Sequence, residues 1–182
     1  NATLAVSLAV AKACASSYKL PLYKLLGGAY ARRIPAPMMN ILNGGAHASN
    51  NLDIQEFMIV PVGFEHFRDS LRAGCEIYHS LKRILTSHSY SVSVGDEGGF
   101  APSLPNDELA LECIMEAIKD AGYIAGKDVA IALDVAATEM YEEARKQEKE
   151  GYLFWKTNVL KTKDEMVDYL EKLTKKYPII SI

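Results

Sequence analysis

The sequence predicts an α/β protein whose larger part is an irregular α/β barrel. From Pro37 onward, short β-rich runs alternate with amphipathic helical segments, a pattern typical of strands joined by helical crossovers. The first two predicted strands, however, follow each other without a helix between them. A regular eightfold barrel does not begin in this way, so the pattern favours an irregular barrel.

Five runs are predicted strands. The first two are separated only by a loop rich in Gly, Ala, His, Ser and Asn, which is too short for a helical crossover, so we expect them to pair antiparallel. The later strands are expected to be parallel, each reached through helices. The predicted strands cover residues 38–42, 54–60, 89–94, 129–134 and 179–182.

Three helices are predicted from apolar residues that recur at helical spacing. The third begins at Thr162, where Thr162 and Glu165 form the Thr-x-x-Glu pattern of a capping box. The predicted buried faces are, in order, Phe67, Leu71, Gly74, Tyr78, Leu81 and Leu85; Leu111, Ile114, Ile118 and Ala121; and Met166, Leu170 and Leu173.

A domain boundary is predicted between residues 1–34 and residues 35–182. Residues 1–17 are rich in alanine and helix-like, and Pro21 and a Gly-Gly pair then interrupt the pattern. The chain starts without Met and stops within an apolar strand. We therefore expect it to be an internal piece of a longer protein.

Composition excludes several classes of protein. Hydrophobic residues make up 49% and charged residues 24% of the chain, values typical of a soluble globular protein. The net charge of -3 comes from interleaved charges, which disfavours nucleic-acid and membrane partners. Cys14, Cys75 and Cys113 stand apart among apolar residues, so we expect reduced core thiols and a cytoplasmic protein.

Acidic residues at strand ends are the first candidates for chemistry. Glu97 lies beside Asp96 in a Gly-rich segment after a predicted strand, where an acidic turn is the alternative interpretation. Asp134 ends an apolar run, so it either caps the next segment or faces the mouth of the barrel, where its oxygens would suit Mg²⁺. Glu56 lies within an apolar strand, and the alternative is an edge strand with Glu56 facing water.

His47 is the candidate for substrate binding among the histidines. The glycines before it and the small residues around it predict a loop that can close over a small anion, to which imidazole can donate a hydrogen bond. Dinucleotide, P-loop, serine-hydrolase and zinc-protease motifs are absent from the sequence. The residues therefore favour metal-assisted chemistry on a small anionic substrate.

Four segments occur together in one order: LNGGAHASN at 42–50, IQEFMIVPVG at 54–63, GDEGGFAP at 95–102 and ALDVAAT at 132–138. Together they resemble the enolase family, and the similarity extends over the whole chain. The resemblance implies the first part of the enolase-type irregular (β/α) barrel at residues 35–182. It also implies that residues 1–34 are the tail of an α+β N-terminal domain.

The resemblance implies the reversible, Mg²⁺-dependent dehydration of 2-phosphoglycerate to phosphoenolpyruvate in glycolysis and gluconeogenesis, by a homodimer. It identifies Glu97 as the acid that assists departure of the substrate hydroxyl and Asp134 as a magnesium ligand. His47, Glu56 and Gln55 are implied to line the substrate pocket, although strand alternation directs Gln55 away from Glu56 unless a bulge intervenes.

The family's catalytic Lys and its two other metal carboxylates have no counterpart here, so residues 1–182 alone are expected to be inactive. Another carboxylate-acting barrel enzyme of the enolase superfamily is the alternative enzyme, and a non-catalytic binding or structural protein is the alternative outside enzymes.

Overall fold

The computed structural model describes residues 1–95 and 97–182. The chain divides into two compact units, Asn1–Pro35 and Ala36–Ile182. The helices are α1 (Ala2–Ser17), α2 (Leu22–Gly27), α3 (Phe67–Ser87), α4 (Asp107–Asp120), α5 (Ala137–Lys146) and α6 (Lys163–Lys176). The strands are β1 (Met39–Asn43), β2 (Glu56–Val60), β3 (Ala130–Asp134), β4 (Tyr152–Phe154), β5 (Val159–Lys161) and β6 (Ile179–Ser181).

The first unit contains α1, α2 and a 3₁₀ turn at Gly28–Tyr30. Alanine, the best helix former, is frequent in α1 and explains why this segment is helical. Its larger apolar side chains Leu4, Val6 and Val10 are exposed. That residues 1–34 are the tail of an α+β domain stays a prediction.

The second unit is built on a sheet with the strand order β1-β2-β3-β6 within the described residues. Strands β1 and β2 pair antiparallel, as the short loop between them predicts, and the register shifts between Asn40 and Leu42. Strands β3 and β6 pair parallel. The side chains between this sheet and helices α3, α4 and α6 form the main hydrophobic core.

The predicted parallel direction of β3 relative to β2 is wrong, because the two strands pair antiparallel. Two successive helices, α3 and α4, lie between them, and the second brings the chain back to the end of β2. There the backbone N–H of Gly63 donates to Asp128 O at 2.9 Å, just before β3 begins. Strand β3 therefore starts where β2 ends and runs in the opposite direction.

The predicted strand at 89–94 is also wrong. Tyr90 and Val92 are half-buried against the core while Ser91 and Ser93 are exposed, so the side chains do alternate. Among residues 1–95 and 97–182, this backbone pairs only with the segment that follows it, through an isolated bridge between Val94 and Phe100. An alternating run without a neighbouring strand stays an extended loop.

Helix packing matches the predictions in part. The capping box of Thr162 and Glu165 at the start of α6 is confirmed. In α3, Phe67 and Leu71 are each 42% exposed, so the predicted face is wrong at its start. The buried face of α3 contains Ala73, Gly74, Ile77, Leu81, Ile84 and Leu85.

Three further elements, α2, α5 and the β4–β5 hairpin, have no counterpart among the predicted elements. The three cysteines are free, but they do not all lie in the core: Cys113 is buried, Cys14 is half-buried and Cys75 is exposed. In the described part of the chain, no helix is both long and apolar enough to cross a membrane.

Candidate active site

Three polar residues form a row across the sheet. Asn43 at the end of β1 pairs with Glu56 at the start of β2, and Glu56 pairs with Asp134 at the end of β3. Side chains of directly opposite residues lie on the same face of a sheet. The three side chains therefore lie together at the edge of the sheet that these strand ends form. Because β2 lies between β1 and β3, the alternative that Glu56 faces water from an edge strand is wrong.

His47 reaches the same edge from the loop between β1 and β2. It lies in the 3₁₀ turn Gly45–His47, and its Nδ1 is 3.4 Å from Glu56 Oε1. The distance is that of an ion pair, but the geometry is not that of a hydrogen bond; among residues 1–95 and 97–182, Nδ1 has no hydrogen-bond partner. The imidazole and the Glu56 carboxyl, 27% and 17% exposed, both lie at the rim of the site.

Glu97 completes a group of three with His47 and Glu56. Potential ligand atoms of the three side chains all lie within 4.8 Å of one another. Glu97 is exposed and lies in a turn, as the acidic-turn interpretation predicts. Its carboxylate nevertheless lies close to His47 and Glu56. Its neighbour Asp96 lies outside the described residues.

The Gly-rich segment that carries Glu97 is held directly against β1. Phe100 N–H donates to Ile41 O at 3.0 Å, and Asn43 N–H donates to Phe100 O at 2.8 Å. A Cβ atom added to Gly99 would lie 2.7 Å from the backbone nitrogen of Leu42. Glycine is therefore required at position 99 for the close approach of this loop to the sheet.

Two buried asparagines tie the surrounding loops together, and neither was among the predicted site residues. The Asn43 side chain donates to Gly99 O at 2.9 Å. The Asn50 amide donates to Asn43 O at 2.9 Å and to Pro102 O at 3.0 Å. The sequence signal that could have identified Asn43 is a polar residue at the end of an apolar strand, directly before Gly44.

Gln55 and Asp134 are joined twice. Gln55 N–H donates to Asp134 O at 3.1 Å, and Gln55 Nε2 donates to Asp134 Oδ2 at 3.0 Å. Strand alternation does not send Gln55 away, because β2 begins only at Glu56. Asp134 Oδ1 also accepts from Ala136 N–H at 3.0 Å, so this carboxylate both stabilises the local turn and faces the site.

The charges at this edge act on Glu56. Burial raises the pKa of Glu56 above its ordinary value, and the negative charges of Asp134 and Glu97 raise it further. The neighbouring His47 lowers this pKa by a smaller contribution. Glu56 is therefore more readily protonated than an exposed glutamate.

The side chains at this edge of the sheet carry atoms that can bind a cation. Each oxygen of Asp134 accepts one hydrogen bond and keeps a free lone pair, and hard oxygen donors of this kind are those that magnesium prefers. The group of His47, Glu56 and Glu97 instead mixes an imidazole nitrogen with carboxylates, a set better suited to zinc-like ions. The oxygens of Asp134 are thus chemically suited to a magnesium ion.

A second pair of carboxylates is buried behind the His47 loop. Asp53 and Asp107 are 1% and 5% exposed. Asp107 Oδ1 accepts from the backbone N–H groups of Asp53 and Ile54, at 2.9 and 3.1 Å. This pair was not among the predicted site residues, although Asp53 stands out as a charge between Leu52 and Ile54.

The family described as "Enolase, C-terminal TIM barrel domain" matches residues 31–182. This match, together with the mixed α/β sheet that opens with an antiparallel pair, confirms the predicted fold class. The chain belongs to the family of enolase C-terminal TIM barrel domains.

Proposed function

We propose that this chain forms part of the active site of an enolase, which interconverts 2-phosphoglycerate and phosphoenolpyruvate. The observation that carries the proposal is the convergence of His47, Glu56 and Glu97 on the sheet edge that bears Asp134, in a domain of the enolase family. Acidic groups and an imidazole at one strand edge suit proton transfer on a small anionic substrate.

Glu97 acts as the general acid in this proposal. Its carboxyl group donates a proton to the C3 hydroxyl of 2-phosphoglycerate as that group departs as water. The exposure of Glu97 supports the assignment, because the side chain remains accessible to a substrate that enters over the sheet edge. The contact of its loop with β1 holds the carboxyl near the other site residues.

His47, Glu56 and Gln55 bind and orient the substrate. The imidazole of His47 donates to the anionic substrate, and the Glu56 carboxyl lies beside it, with Oε1 3.4 Å from His47 Nδ1. Gln55 fixes the orientation of the Asp134 carboxylate through its amide.

Asp134 holds Mg²⁺ in this proposal. When bound, magnesium neutralises the negative charge that grows on the substrate carboxylate as the C2 proton is removed. We further propose that the full-length protein is a cytoplasmic homodimer without nucleic-acid or membrane partners. The three free cysteines support a reducing compartment.

The test is Glu97→Gln in the full-length protein, with Glu116→Gln on the exposed face of α4 as control. We expect the rate of dehydration to fall by about 10²- to 10⁴-fold, the rate enhancement that general acid catalysis typically provides. Exchange of the C2 proton with solvent should stay measurable. Glu116→Gln should leave both rates unchanged. Equal loss of exchange and dehydration would contradict the role given to Glu97.

The enzyme reaction itself is tested by the unsubstituted full-length protein, since residues 1–182 alone are expected to be inactive. Formation of phosphoenolpyruvate from 2-phosphoglycerate in the presence of Mg²⁺ supports an enolase. Absence of this reaction, together with C2 proton exchange on another carboxylate, would favour a different member of the superfamily. Absence of both reactions and of Mg²⁺ binding would favour a non-catalytic protein.

A further inference from the structure

We propose that Lys156 is a positioning residue for His47. The ammonium group of Lys156 donates a hydrogen bond to the carbonyl of Ala48, the residue after His47, and so restrains the loop that carries His47. The expected effect on turnover rests on the proposed function. The expected effect on the order of the loop does not, because the contact can be tested without turnover.

The contact joins two distant parts of the chain. Lys156 lies between β4 and β5, and its Nζ donates to Ala48 O at 3.0 Å across 108 positions of sequence. Ala48 directly follows the 3₁₀ turn that ends at His47. A hydrogen bond from a charged donor to this carbonyl restrains the backbone directly after His47 and so limits the movement of the loop that carries the imidazole.

The hairpin tip that carries Lys156 is itself fixed by Asp53. The Asp53 carboxylate accepts from Lys156 N–H at 2.8 Å, from Thr157 N–H at 3.2 Å and from Thr157 Oγ1 at 2.7 Å. Asp53 is 1% exposed, whereas Lys156 is half-buried and Thr157 is exposed, so the three bonds anchor the partly exposed tip to a buried carboxylate. The tip is therefore a rigid base for the Lys156 side chain.

Asp107 extends the restraint to the start of α4. It accepts from the backbone of Asp53 and Ile54, two residues before Glu56. The same network thus fixes one end of the loop at β2, while Lys156 fixes its middle at Ala48. Without the ammonium, the middle of the loop loses its bond to the hairpin while the end near Glu56 remains held.

Kinetics of four variants of the full-length protein test the inference: Lys156→Met, Lys156→Arg, His47→Ala and the double variant. Lys156→Met keeps most of the side-chain length but removes the donor, so we expect KM for 2-phosphoglycerate to rise about tenfold and kcat to change less than about twofold. Lys156→Arg should restore KM, because arginine keeps a charged donor. Lys172→Met, on the exposed part of α6, is the matched control and should leave KM unchanged.

The double variant separates positioning from direct substrate binding. If Lys156 acts through His47, then Lys156→Met has no further effect in the His47→Ala background. Independent, multiplying losses in the double variant would overturn the inference. So would a fall in kcat without a rise in KM.

Hydrogen exchange provides a readout that needs no turnover. Lys156→Met should speed amide exchange in residues 44–51 while leaving exchange in α4 unchanged, and Lys156→Arg should restore slow exchange. Unchanged exchange in residues 44–51 would overturn the inference even in an active enzyme. An inactive unsubstituted protein with the expected exchange change would refute the proposed function and support the role of Lys156.

Discussion

Glu56 and Asp134 are direct partners across β2 and β3, and the charge of Asp134 contributes to the raised pKa of Glu56. Gln55, one residue before Glu56, binds the same Asp134 carboxylate. Removing the charge of Asp134 should therefore change the pKa of Glu56 and leave the backbone pairing of β2 with β3 intact.

Asp134→Asn should lower the pKa of Glu56. The substitution removes one negative neighbour at nearly constant shape, while burial, the larger cause, continues to hold the pKa above its ordinary value. Carboxyl ¹³C chemical shifts of Glu56 followed through a pH titration measure the change. Asp168→Asn, on the exposed face of α6, is the control, and an unmoved Glu56 titration in Asp134→Asn would contradict the coupling.

The same Asp134→Asn variant should bind Mg²⁺ more weakly than the unsubstituted protein. One anionic oxygen ligand becomes a neutral amide, so activity should be partly recovered at high magnesium concentration. Isothermal titration calorimetry with Mg²⁺ measures the affinity, again with Asp168→Asn as control. Unchanged affinity in a folded variant would indicate that Asp134 serves only the turn at Ala136.

Gly99→Ala should destabilise the protein and impair the step assigned to Glu97. The added Cβ would lie 2.7 Å from Leu42 N, so either β1 or the loop must move, at a typical cost of about 1–3 kcal/mol. Thermal unfolding and kcat measure the two effects. Gly122→Ala is the control, because its added Cβ meets nothing within 4 Å although its φ of +86° is strained.

For Gly122→Ala we expect a loss of stability with kcat unchanged, since Gly122 follows α4 away from the site. Equal kcat values for the unsubstituted protein and a folded Gly99→Ala variant would show that the loop position does not matter for turnover.

The buried carboxyl of Asp107 should make stability depend on pH. Burial raises its pKa in the folded protein from 3.8 to about 6, so between these values the folded state binds more protons than the unfolded state. The contribution of Asp107 to stability is therefore largest below about pH 4, falls by about 3 kcal/mol as pH rises through about 6, and is constant above about pH 7.

Denaturant unfolding of the unsubstituted protein and Asp107→Asn at several pH values measures this contribution. The difference in unfolding free energy between the two should vary with pH over this window only. A constant difference from pH 4 to 7 would mean that Asp107 keeps an ordinary pKa in the folded protein.

Local sequence was sufficient for the parts of the fold that depend on short-range chemistry. The capping box at Thr162 needs only the spacing to Glu165, and the antiparallel pairing of β1 and β2 follows from their short loop. The direction of β3 could not be predicted in this way. Residues 89–94 alternate like a strand, but in the part of the chain that the structure describes they join no sheet and form an extended loop.

The candidate site could be predicted by residue type more than by arrangement. Glu56 and Asp134 stand out as charges in apolar runs, but their pairing depends on strand register, which the sequence does not specify. The contact of Lys156 with Ala48 spans 108 positions, and no local pattern indicates it. Long-range packing therefore decides which polar residues meet.

Strand β2 runs antiparallel to β1 and β3, and this determines where residues can be inserted near Glu56. Glu56 is the first residue of its strand, so its place beside Asp134 is set by the ladder of hydrogen bonds that follows it, and not by the long excursion through α3 and α4. Residues can be added at the exposed Glu65, beyond the hydrogen bond from Gly63 to Asp128, with little entropic cost and without moving Glu56. A single insertion inside β2 after Glu56 would instead turn the carboxylate to the opposite face.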